Sequence, residues 1–143
     1  MKDRLVWSIF WAMVAFFFIS IFSMFILVPI AGDSPLRLNA FAALPIFFGL
    51  GVALLVLTVK KKVPGLLRKF LLLAASSAVG LLFFAVLHNL VTALLINFFG
   101  FGADFDEPVF FLLATTICPL GFLVGAIGSF VLAIKDRRLT ASN

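Results

Sequence analysis

Four stretches of this chain, residues 5–32, 38–59, 70–103 and 108–134, contain no Asp, Glu, Lys or Arg. Each reaches the roughly 20 residues that an α-helix needs to cross a bilayer core about 30 Å thick. The 11 basic and 6 acidic residues all fall in the gaps between these stretches and at the two ends. This segregation predicts an all-α integral membrane bundle of four transmembrane helices, spanning about 5–28, 40–59, 70–98 and 108–134, joined by short loops.

The chain is 64% apolar and 12% charged, where soluble domains run at about 45–50% and 25%. A soluble protein of 143 residues could not hide so much apolar surface, so lipid is expected to cover part of it. Residues 1–143 form one membrane domain, with no stretch between spans long enough for a folded ectodomain.

A net charge of +5 would suit nucleic acid, but its distribution points elsewhere. Lys2, Arg4, Lys60, Lys61, Lys62, Arg68, Lys69, Lys135, Arg137 and Arg138 fall on one expected side, and Arg37 alone lies opposite with Asp33, Asp104, Asp106 and Glu107. Basic residues mark the cytoplasmic side of membrane proteins. Both termini and the 60–69 loop are therefore expected in the cytoplasm of a multi-pass cell-membrane protein. Lys60, Lys61 and Lys62 act as a topology determinant and a contact for anionic headgroups, and no nucleic-acid partner is expected. The apolar run after Met1-Lys2-Asp3-Arg4 is about twice as long as a signal peptide's apolar core, which reads as a helix. The single cysteine, Cys118, allows no intramolecular disulfide or multi-cysteine metal site.

Helix one places Trp7 and Trp11 four residues apart, on one face near the interface. Pro29, Gly32 and Asp33-Ser34-Pro35 signal its end and a turn. Pro45 falls in the first two turns of the expected second helix, where proline costs least. Lys60 to Gly65 closes a hairpin that makes spans two and three antiparallel neighbours. The third stretch is too long for one perpendicular span; a helix ending near Phe98, followed by a turn at Phe99-Gly100-Phe101-Gly102, accommodates it. Asp106-Glu107-Pro108 then starts helix four, with acidic groups at its positive end and proline in its first turn. Pro119 is expected to bend that helix and free a carbonyl for Thr115, Thr116 or a neighbouring helix. The tail from Lys135 to Asn143 is expected to be polar and mobile.

Gly121, Gly125 and Ser129 recur every four residues, a spacing that lets helix backbones approach closely in lipid. Ser76 and Gly80 in helix three are candidate partners, as are Ala74 with Ala78 and, in helix two, Gly49 with Ala53. The stripe can pack within the chain or against a second copy.

His88 is the sole histidine, set among apolar residues at the outer part of span three, and an ionisable group there is a functional candidate with a partner to be named. Three readings stay open. The plain one is a histidine hydrogen-bonded to Asn89, Thr92 or a carbonyl. The second pairs it with Asp104, Asp106 or Glu107. The third is axial ligation of a haem or chlorophyll-type pigment. Asn97, nine residues on, falls on the opposite face.

No acidic residue lies inside a span, and no phosphate loop, paired carboxylates or metal-ligand cluster appears, so no catalytic or metal residue is named and no enzyme is expected. Ser20, Ser23, Thr115 and Thr116 are hydrogen-bonding candidates between helices, and none has a base beside it. The segment from Asp106-Glu107-Pro108-Val109-Phe110-Phe111 into Cys118-Pro119-Leu120-Gly121-Phe122 resembles small uncharacterised prokaryotic four-span membrane proteins, which implies an inner-membrane setting and no particular activity.

The leading expectation is a structural or accessory subunit that associates with itself or a larger membrane complex through small-residue helix faces. The alternative is a small oligomeric transporter or channel with a polar path along His88, Asn89 and Thr92. A haem- or pigment-binding subunit is the third.

Overall fold

The protein, as a computed structural model, is described at residues 4–22, 36–61, 63, 65–102 and 105–141, with backbone alone for 36–43 and 136–141. The expected end of helix one, the 29–35 turn, Lys62 and Asp104 lie outside the described residues. Helices account for nearly all of the rest. Helix α1 is Arg4–Phe22, α2 is Leu36–Lys60 and α3 is Gly65–Phe99. Helix α4 runs Pro108–Leu112, turns through a π-helical segment at Leu113–Ile117 and continues as Cys118–Ala141. Helices α1, α3 and α4 are each long and apolar enough to cross a membrane; the apolar part of α2, Leu44–Lys60, is shorter.

Three departures from the sequence expectations have physical causes or consequences, and the expected end of helix three is met within a residue. Helix α2 begins at Leu36, so Pro45 falls in its third turn instead of the first two. Helix α3 ends at Phe99, where Gly100 takes a left-handed conformation (φ 71°) that costs glycine no Cβ clash. In α4 the π turn comes just before Pro119, and the Cys118 N–H reaches back to Leu113 O. A π turn re-spaces the carbonyls that a proline ring would otherwise strike. Thr115 Oγ1 meanwhile donates to Phe111 O at 2.7 Å, within its own helix. Finally, the expected mobile tail is helical as far as Ala141; Lys135, Arg137 and Arg138 suit the negative end of a helix, and no glycine or proline interrupts it.

Each helix buries one stripe. On α1 it is Val6, Phe10, Met13 and Phe17; on α2, Phe47, Gly51, Leu54 and Thr58; on α3, Leu71, Ala74, Ala75 and Ala78. On α4 it is Ala114, Cys118, Phe122, Gly125, Ser129 and Ala133. Spacings of three and four keep each set on one helix face. Phe17, Phe47 and Phe122 bring α1, α2 and α4 together, with Phe17 and Phe122 ring centroids 4.4 Å apart.

The alanine face of α3 is approached from both sides. A Cβ on Gly51 of α2 would stand 2.9 Å from Ala78 Cβ, and one on Gly125 of α4 would stand 2.5 Å from the Ala74 nitrogen. Down the α3–α4 seam, Phe70 meets Gly128, Ala74 meets Gly125, Ser77 meets Gly121 and Cys118 meets Gly80. The numbers fall on one helix as they rise on the other, so the pair is antiparallel. Trp11 against Phe130 and Phe17 against Phe122 orient α1 the same way against α4. Arg4, Lys60, Lys61, Arg68, Lys69 and Lys135 consequently gather at one end, and Asp106 and Glu107 at the other.

Candidate functional site

Polar side chains converge at the acidic end, where α3 meets the start of α4. His88 and Thr92 stand four residues apart on α3 and so share a face. That face looks onto Glu107, the residue that opens α4. Glu107 has extended dihedrals (φ −80°, ψ 113°), and its carboxylate accepts from Val109 N at 2.7 Å and Phe110 N at 2.8 Å. A helix start leaves N–H groups without intrahelical partners and carries partial positive charge, so a carboxylate there answers both. Pro108 takes the first helical position, where its missing N–H removes one orphan donor.

Both backbone groups of Glu107 are also held from α3. Its N–H donates to Thr92 Oγ1 at 3.2 Å, and its carbonyl oxygen lies 2.8 Å from His88 Nδ1. A carbonyl can only accept, so Nδ1 carries a proton in this arrangement. The other ring nitrogen, Nε2, stands 3.2 Å from Asp106 Oδ1. The imidazole and the Glu107 carboxylate are only 16% and 9% exposed, whereas Asp106 is 69% exposed. Phe111 flanks the ring, its centroid 5.4 Å from that of the imidazole. The cluster therefore clamps the start of α4 to α3, with a solvent-facing carboxylate over the histidine.

Of the three residues read as a polar path, the structure brings His88 and Thr92 together. Asn89 is exposed and turns back to Ala85 O at 2.8 Å. Asn97 likewise bonds Ala93 O on its own helix. Nδ1 is committed to the Glu107 carbonyl, and Nε2 stands 3.2 Å from Asp106 Oδ1. Among the described residues no group of three or more His, Cys, Asp or Glu could hold a metal ion.

The small-residue set divides similarly. Gly121, Gly125 and Gly80 lie in the α3–α4 seam, and Ser129 is fully buried with its hydroxyl unpartnered. Ser76 is exposed and bonds Leu73 O at 3.2 Å, and its neighbour Ser77 makes the contact with Gly121. On α2 the close approach is made at Gly51; a Cβ on Gly49 would meet nothing within 4 Å. The signal for Gly51 was present in the spacing Phe47, Gly51, Leu54 and Thr58, which continues an apolar stripe that Gly49 leaves. The part played by the Glu107 backbone had no comparable signal, because hydrogen bonds between main chain and distant side chains leave no residue pattern.

No protein-family model matches the chain, and neither a curated protein nor a solved structure does so.

Proposed function

We propose that the protein is a non-enzymatic, four-span structural or accessory subunit of the cell membrane, with its basic end and both termini in the cytoplasm, and that it docks to a larger membrane complex through the tip of α3. The observation that supports docking there is the reach and chemistry of that helix. From Lys69 to Phe99 it extends about 45 Å at 1.5 Å per residue, against a hydrocarbon core of about 30 Å. Phe98 and Phe99 at its end are 78% and 73% exposed, and Phe101 beyond Gly100 is exposed as well. An apolar patch raised to the outer interface is what a partner surface covers. The Gly121, Gly125 and Ser129 stripe is engaged inside the chain, so it is not the face offered to the partner.

The test is affinity purification in mild detergent with Phe98→Ser and Phe99→Ser combined. Both side chains are exposed, so the changes leave the buried core untouched. The reading expects a stoichiometric partner that is retained by the wild type and lost from the variant. Equal retention removes the tip as the docking element.

A second reading, a small oligomeric transporter, draws on the convergence of His88 and Thr92 on Glu107 beneath an exposed carboxylate. Flux in proteoliposomes that disappears with His88→Ala would favour it, and absence of flux in the wild type would set it aside.

A further inference from the structure

We propose that the groove between α1 and α4 binds one acyl chain of an anionic phospholipid whose phosphate is held at the basic end by Arg4. The groove is lined by apolar residues only, among them Trp11, Val14 and Phe18 from α1 and Leu123, Ala126 and Ile127 from α4. It runs from Phe10 to Phe18 on α1 and from Phe122 to Phe130 on α4, eight helical rises or about 12 Å at 1.5 Å per residue, with a volume of about 350 Å³. An open, wholly apolar slot of this length suits a hydrocarbon chain.

Charge selects the headgroup. Arg4, Trp11 and Phe18 recur every seven residues, so they share one face of α1, and Arg4 stands about 10 Å beyond Trp11 toward the basic end. Arg4 is exposed, and among the described residues it has no carboxylate within ion-pair distance. A guanidinium takes a phosphate through paired N–H donors. Trp11, 48% exposed and edge-on to Phe130 at 5.7 Å, sits at the inner mouth of the slot, the depth that indoles prefer.

The experiment is native mass spectrometry of the full chain released from vesicles of equal phosphatidylglycerol and phosphatidylcholine. One phosphatidylglycerol should remain bound in preference to phosphatidylcholine. Arg4→Gln should cut that preference about five-fold, the factor one basic residue contributes at an anionic surface. Ala126→Phe, which fills the slot, should abolish retention of both lipids. Equal retention of the two lipids by the wild type, or unchanged retention by Ala126→Phe, would overturn the proposal. Should Ala126→Phe fail to fold, quenching of Trp11 in a Trp7→Phe protein decides. Acyl-brominated phosphatidylglycerol should quench at lower mole fraction than brominated phosphatidylcholine, and coincident curves would refute the site.

Discussion

His88 reaches the backbone of Glu107, not its carboxylate: Nδ1 lies 2.8 Å from the carbonyl oxygen and 3.8 Å from Oε2. The carboxylate is occupied by Val109 N and Phe110 N. The imidazole therefore fastens the main chain at the point where α4 begins, and Asp106 covers its other nitrogen. Ring nitrogen chemical shifts in labelled protein should show a proton on Nδ1. A neutral ring protonated only at Nε2 would contradict the arrangement.

Replacing His88 with Ala removes a second donor from a carbonyl that still opens the helix. The expected loss is about 1 kcal/mol of stability, the net worth of one such hydrogen bond. Hydrogen exchange should rise at Val109 and Phe110 more than in the α3–α4 seam. Uniform destabilisation would show that the clamp is not local.

Glu107 should be the costlier residue to change. Glu107→Ala leaves two helix-start N–H groups without an acceptor, for a loss of about 0.5–2 kcal/mol. Glu107→Gln keeps one oxygen acceptor and should fall between Ala and the wild type. Reversible unfolding in mixed micelles gives the order, and a Gln variant as weak as Ala would deny the cap its part.

Two glycine-to-alanine changes should have opposite signs. At Gly125 the new methyl group would meet Ala74 N and Phe70 O at 2.5 and 2.8 Å. Those are backbone atoms that cannot swing aside, so the helices must separate at a cost of about 1–3 kcal/mol. At Gly49 nothing lies within 4 Å, and alanine should gain about 0.5–1 kcal/mol of helix propensity. Thermal unfolding of the pair side by side checks both.

Ser129 is fully buried, and its hydroxyl has no hydrogen-bond partner. Ser129→Ala keeps the small volume and deletes the unsatisfied group, so stability should stay level or rise by about 1 kcal/mol. A marked loss would mean that the hydroxyl is bonded in the membrane.

The helices were legible because charge-free length is a one-dimensional signal. The start of α4 was legible too, since Glu107-Pro108 is a local signature of helix entry. Residues that depend on which face meets which neighbour were read less well. Ser76 and Ser77 are adjacent in sequence and equal in chemistry, and only the rotation of α3 decides that Ser77 meets Gly121. Gly49 and Gly51 pose the same problem on α2. In lipid both faces of a helix are apolar, so hydrophobic patterning cannot separate the lipid side from the packed side. His88 was recognised as an intramembrane histidine, with the acidic residues before α4 among its candidate partners. That it would grip a carbonyl could not be read from residue types.

The α3–α4 seam and the α1–α4 contact differ in mechanical character. Along the seam, Gly125 lets backbone lie on backbone and Gly121 admits the Ser77 side chain, so neither helix can rotate without lifting the other. Helix α1 touches α4 through the rings of Trp11 with Phe130 and Phe17 with Phe122, which can slide over one another within loose angular limits. The molecule is thus a rigid rail with a compliant flank. Motion along the flank would widen or narrow the aromatic slot while leaving the histidine clamp undisturbed.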